Sequence, residues 1–162
     1  MDNPFHTLGL PPSFDLDHAT IEATYLTLAA QTHPDRFTDP IEQAEAAEQA
    51  SAINLARDTL KDPEKRAKAL LALRGESDPQ NQDSLPPDFL MDVMEIRERL
   101  DSAIEANNLS ELADLREWAQ TTRENHLKTL ANQFANDAPS RQIRMELNTL
   151  RYIQRMLDQM PG

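Results

Sequence analysis

The chain of 162 residues contains no cysteine and 3 glycines, and aromatic residues make up 5% of it. Without cysteine, disulfide bonds, thiolate nucleophiles and cysteine-ligated metal sites are excluded. Glycine is scarce, helix-forming residues such as Ala, Leu, Glu, Gln and Arg are abundant, and no alternating apolar runs stand out. This composition favours an all-α protein.

Long apolar runs and an excess of positive charge are also missing. No stretch approaches the roughly 20 apolar residues that span a bilayer, and no basic region followed by an apolar run marks a secretory signal. The formal net charge of −12 argues against nucleic acid and anionic membranes as partners, because both are bound through Lys and Arg. We therefore expect a soluble cytoplasmic protein that binds neither.

Two amphipathic patterns in the first half predict a helical hairpin. Helical spacing relates the apolar residues of the first pattern, Ile21, Tyr25, Leu28, Ala29 and Thr32. Pro34 lacks a backbone N–H and disfavours helical geometry for His33, so this helix should end at about Thr32. The second pattern contains Ala46, Ala50, Ile53, Ala56 and Leu60. The tripeptide His33-Pro34-Asp35 therefore lies at the bend.

The remaining patterns predict a second domain. Asp62-Pro63-Glu64 has the features of a helix start, and Gly75 can end that short helix. Residues 76–87 hold three prolines and no apolar period, which predicts a linker between domains at 1–75 and 88–162. Three helical patterns follow, over about 87–106, from a cap at Ser110 to about 134, and over about 140–160. Short turns between long helices predict a three-helix bundle.

Two helices of this bundle carry more apolar residues than a core requires. At about 100° per residue, one sector of the first bundle helix holds Phe89, Val93, Ile96, Leu100 and Ala103. The opposite side holds Met91 and Met94 beside Glu95 and Glu98, and Leu90 lies between the two sectors. In the last helix, Tyr152, Met145 and Met156 are predicted to face solvent, opposite the seam of Ile143, Leu147 and Leu150.

An exposed Leu-Met-Met cluster bordered by glutamates is typical of a partner site. The alternatives are that these residues pack against the N-terminal half, or that isolated exposed apolar residues have no role.

His33 and Asp35 could form a catalytic acid–base pair. No Ser or Cys nucleophile lies nearby, and the chain has no glycine-rich phosphate loop. His6, His18, His33 and His126 lack metal-ligand spacing, so the chain is predicted to hold no metal or other cofactor. A protein-recognition loop is the favoured interpretation, and a small enzyme using His33 and Asp35 is the alternative.

A helical hairpin with His-Pro-Asp at its bend resembles a J domain, the module that stimulates the ATPase of DnaK-type chaperones. Residues 3–10 (NPFHTLGL), 33–37 (HPDRF) and 51–56 (SAINLA) are similar to its first helix, loop and third helix. Residues 88–98 (DFLMDVMEIRE) are similar to the start of the bundle in HscB-type co-chaperones of iron–sulfur cluster assembly. The resemblance covers nearly the whole chain.

This resemblance implies an adaptor that is not an enzyme. Its J domain would engage a DnaK/HscA-type chaperone through His33, Pro34, Asp35 and Arg36. Its bundle would hold an IscU-type scaffold protein through Leu90, Met91, Met94, Glu95, Glu98 and Tyr152. A J-domain co-chaperone for a different client is the alternative.

One departure from the family pattern concerns charge. J domains usually carry Lys and Arg on the second helix, whereas residues 16–32 contain neither. Arg36 is the only basic residue close to the His-Pro-Asp tripeptide, so charge should contribute little to docking on the chaperone. Lys61, Lys65 and Arg66 could replace the missing positive charges of the second helix.

Overall fold

The computed structural model describes residues 3–75 and 85–161, and within them every regular element is helical. This confirms the predicted all-α fold. In chain order the elements are α1 (Pro4–Leu8), α2 (His18–Gln31), a 3₁₀ turn (Pro34–Arg36), α3 (Pro40–Lys61), α4 (Pro63–Leu73), α5 (Pro87–Glu105), α6 (Leu109–Ala135) and α7 (Ser140–Gln159).

The chain divides into two compact units, Met1–Asp78 and Pro79–Gly162. Most of the segment predicted as a linker over 76–87 lies outside the described residues, and its last residue, Pro87, is the first of α5.

Side-chain caps fix where the helices of the first unit begin. Asp17 accepts a hydrogen bond from the Thr20 backbone N–H at 2.6 Å, and this bond holds the pKa of the Asp17 carboxyl below its ordinary value. Asp62 accepts from the N–H groups of Glu64 and Lys65, as its position before a proline predicts. Cap and proline together make the start of α4 a local property of the sequence.

The core of the first unit lies between α3 and the other three helices. α3 contributes Ala46, Ile53, Ala56 and Leu60, which are all buried as the periodicity predicts. Phe5 and Leu8 of α1, Ile21 of α2 and Leu71 of α4 are almost completely buried as well. Because α2 and α3 pack on each other as a hairpin, the segment that joins them is held at one end of the unit.

The second unit is the predicted three-helix bundle. One core cluster joins all three helices and consists of Val93, Ile96, Leu100, Ala103, Leu115, Ala119, Met156 and Met160. The cap of α6 is Asn108 rather than Ser110, because the Asn108 side chain accepts from the Glu111 N–H at 3.1 Å. Asn107, with φ 52°, reverses the chain one residue earlier. Ser110 therefore lies inside the first helical turn.

The prediction that Met156 faces solvent is wrong. Met156 is 2% exposed and lies in the core cluster with α5 and α6 residues. Met145 and Tyr152, placed on the same side, are half-buried. The physical reason is that α7 contributes to a core shared with two other helices, so its buried face is wider than the single seam of Ile143, Leu147 and Leu150.

Truncating a core leucine of the bundle should destabilise it strongly. Leu147 is fully buried, and Leu147→Ala should lower the free energy of unfolding by about 2–5 kcal/mol, through lost burial and the cavity left behind. Leu109→Ala is the matched control, since Leu109 is 72% exposed; its effect should stay within about 0.5 kcal/mol. Urea denaturation followed by circular dichroism measures both, and equal losses would contradict the packing described here.

Candidate functional site

The His33-Pro34-Asp35 segment forms a defined turn at the end of the α2–α3 hairpin. The His33 Nδ1 atom accepts a hydrogen bond from the Asp35 backbone N–H at 3.2 Å, which caps the 3₁₀ turn. The Arg36 guanidinium donates to the Ala30 carbonyl in the last turn of α2 at 3.2 Å. These bonds fix the loop backbone, while the Asp35 side chain remains 91% exposed. A fixed turn with an exposed carboxylate is suited to contact a partner.

The same geometry disfavours the catalytic alternative. In a His–carboxylate pair of the catalytic-triad type, the imidazole donates its Nδ1 proton to the carboxylate. Here Nδ1 accepts the Asp35 N–H, and the Asp35 carboxylate oxygen lies 3.6 Å from it. One ring nitrogen cannot accept and donate at once, so His33 acts as a cap for the turn.

The second candidate site is the α5 outer face, defined here as Leu90, Met91, Met94, Glu95 and Glu98. Its three apolar residues are 40%, 72% and 67% exposed, respectively, and both glutamates are exposed. The opposite side of α5 is the core face, where Val93, Ile96 and Leu100 are buried. One helix thus has two apolar faces, and the core accounts for only one of them.

Tyr152 of α7, also predicted for this site, is half-buried and joined to α5. The Arg97 Nε atom donates to the Tyr152 hydroxyl at 2.7 Å, and the Arg97 guanidinium lies 5.6 Å from the centre of the ring. The Phe89 ring meets Tyr152 edge to face at 6.1 Å. Tyr152 is therefore held against α5 by residues that neighbour the outer face along the helix.

Arg97 and Phe89 were not among the predicted site residues. The helical periodicity predicts that Phe89 lies on the core side of α5. Its ring also meets the His126 ring of α6 edge to face, with the ring centres 5.7 Å apart. The Arg97–Tyr152 bond joins residues 55 positions apart, and no local pattern predicts such a pair. The two candidate sites lie in different units, since the His33-Pro34-Asp35 loop belongs to the first unit and the α5 outer face to the second.

None of the helices in the described ranges is long and apolar enough to cross a membrane. Within residues 3–75 and 85–161, no three His, Asp or Glu side chains are grouped so as to hold a metal ion.

Comparison with known proteins matches both units to family models. Residues 3–69 match the DnaJ domain, and residues 85–160 match the HSCB C-terminal oligomerisation domain. A co-chaperone protein HscB homolog from Burkholderia thailandensis is 38% identical over 134 residues, which cover 81% of this chain and 77% of the relative. The chain belongs to the HscB family of J-domain co-chaperones.

Further relatives extend this match over almost the full length of the HscB-family chain. A homolog from Paraburkholderia phymatum is 36% identical over 162 residues, covering 96% of this chain and 90% of its own. The structure of chaperone HscB from Vibrio cholerae superposes with a TM-score of 0.81 at 31% identity, covering 98% and 95% of the two chains. The family serves iron–sulfur cluster assembly, and its J domain implies a chaperone partner of the Hsp70 kind.

Proposed function

We propose that this HscB-family chain stimulates ATP hydrolysis by an HscA-type chaperone and delivers an IscU-type scaffold protein to it during iron–sulfur cluster assembly and transfer. It would act in the cytoplasm as an adaptor, without enzymatic activity or a cofactor of its own. The observation that carries this proposal is the second apolar face of α5, since a bundle with no client would need only the core face.

The α5 outer face has the properties of a protein-binding surface. Burial of apolar area contributes roughly 25 cal/mol per Å², and methionine side chains adapt their shape to a partner at low cost. Glu95 and Glu98 border the apolar residues, where they would orient a complementary partner and repel an acidic one. The face therefore combines a source of affinity with a source of selectivity.

The loop offers a different kind of contact. Asp35 presents an exposed carboxylate on a backbone that His33 and Arg36 hold in place. A charge-assisted hydrogen bond from a partner cation to this carboxylate would be about twice as strong as a neutral one. Because the turn is already formed, little conformational entropy is lost when the chaperone binds.

Single-turnover ATP hydrolysis by an HscA-type chaperone tests the proposal, with this chain and the IscU-type scaffold added separately and together. Each addition should accelerate hydrolysis, and the two together should exceed the product of the separate effects, because one adaptor holds both proteins at high effective concentration. A DnaK-type chaperone is the parallel assay. No acceleration with either chaperone would overturn the proposed activity.

The same assay tests separately whether the client is an IscU-type scaffold protein. If the chain accelerates hydrolysis by the chaperone but the scaffold adds nothing and does not bind the chain, the J-domain activity stands and the client is a different protein.

A further inference from the structure

A cavity of about 440 Å³ lies within the first unit, between α3 and α4, with Pro4 and Thr7 of α1 at its wall. We call it the α3–α4 cavity. Its volume falls within the range of about 300–1,000 Å³ that is typical of small-molecule sites. Neither the His33-Pro34-Asp35 loop nor the α5 outer face lines it, so the proposed function does not account for it.

Small side chains leave this space between the two helices. Ala52 and Ala56 line the cavity from α3, and Ala69 and Ala72 line it from α4. A methyl group reaches only a short way from the backbone, so these four residues do not fill the space. Leu55 also lines the cavity and is 65% exposed. A ligand in the cavity would therefore remove apolar surface from water, which favours binding.

The polar groups of the lining gather at one end of the cavity. α3 and α4 meet at Asp62, which ends the first helix and caps the second. Thr59 and Lys65 each lie three residues from this junction, whereas Ala52 and Ala72 each lie ten residues from it. Each helix rises about 1.5 Å per residue. The cavity thus has a polar end near the junction and an apolar end away from it.

The polar end carries positive charge. Among the described residues that line the cavity, the charged ones are Lys65, which is exposed, and Lys68, which is half-buried. Lys68 also lies 3.6 Å from Glu64, one turn earlier on α4, so Lys65 is the principal cation of the lining. In a chain with 28 acidic and 16 basic residues, a lining whose charges are both basic favours an anionic ligand.

We infer that the α3–α4 cavity binds a medium-chain fatty acid, with the carboxylate at Lys65 and the alkyl chain between the alanines. The seven residues from Thr59 back to Ala52 span about 10 Å of helix, the length of an extended alkyl chain of about eight carbons. The carboxylate would stay at the solvent-exposed rim, where pairing with Lys65 needs little desolvation. A small inorganic anion would leave the apolar walls in water.

A series of ligands tests both ends of the cavity. The probes are hexanoate, octanoate and octylammonium below their micelle concentrations, and NMR chemical-shift titration measures their dissociation constants at about 0.15 M NaCl, where distant charges are screened. Each buried methylene should tighten binding about fourfold, so octanoate should bind about fifteenfold more tightly than hexanoate.

Octylammonium has the same chain as octanoate and the opposite charge. It should bind at least about threefold more weakly, since it meets Lys65 instead of pairing with it. Equal affinities for hexanoate and octanoate, tighter binding of octylammonium, or no binding of any probe would overturn the inference. The proposed function would stand in each case.

Substitutions locate the ligand. Ala69→Leu fills the cavity from α4 and should weaken octanoate binding at least about tenfold, because the larger side chain occupies the ligand's space. Ala72→Leu does the same at the apolar end and serves if the first variant does not fold. Lys65→Gln should weaken binding about twofold to fivefold, whereas Lys128→Gln, at an exposed lysine of the second unit, should leave it unchanged. Unchanged octanoate affinity in a Leu variant that keeps the wild-type thermal midpoint would place the ligand elsewhere and overturn the inference.

Discussion

Asp35→Asn should reduce stimulation of the chaperone ATPase by about 30- to 150-fold at equal concentration. The substitution keeps the size of the side chain and the backbone N–H that His33 accepts, so the turn remains formed. It removes the charge of a side chain that is 91% exposed. Loss of a charge-assisted bond at a desolvated contact costs about 2–3 kcal/mol, which corresponds to this factor.

Three measurements distinguish a lost contact from a lost fold. The thermal midpoint of Asp35→Asn should match that of the wild type, and its affinity for the scaffold should be unchanged, because the α5 outer face lies in the other unit. Asp101→Asn, at an exposed carboxylate of α5, is the control for net charge and should stimulate normally. Full stimulation by Asp35→Asn would contradict the assignment of the loop as the chaperone contact.

Replacing Leu90, Met91 and Met94 together by Ala should weaken binding of an IscU-type scaffold by at least about 100-fold. Complete burial of a Leu or Met side chain contributes about 1.5–3 kcal/mol, and these three side chains are partly exposed before binding. The combined loss should therefore exceed about 3 kcal/mol, which is more than a hundredfold in the dissociation constant. Isothermal titration calorimetry with purified scaffold measures it.

The same helix supplies the control for this variant. Ile104 is 47% exposed and lies about three turns beyond Met94, so Ile104→Ala removes an exposed apolar side chain of the same helix outside the α5 outer face. It should bind the scaffold as the wild type does. The triple variant should keep full ATPase stimulation in the absence of scaffold, and unchanged scaffold affinity would show that the client binds elsewhere.

Much of the architecture follows from local patterns. Pro34 determines where α2 ends, and the Asp62-Pro63 pair determines where α4 begins. Both effects act within a few residues along the chain. The exposure of Met91 and Met94 follows from helical periodicity, because Val93, Ile96 and Leu100 fix which side of α5 faces the core. Both candidate sites are therefore present in the sequence as residues at defined helical positions.

Tertiary structure alone decided the surroundings of those residues. The burial of Met156, the bond between Arg97 and Tyr152 and the pairing of Lys61 with Glu22 all join residues distant in the chain. Periodicity shows which side of a helix is apolar, but how many neighbours that helix contacts depends on packing. For the same reason, the sequence left open whether Lys61, Lys65 and Arg66 could serve docking. Packing buries Arg66 against the Leu60 carbonyl and pairs Lys61 with Glu22, whereas Lys65 is exposed.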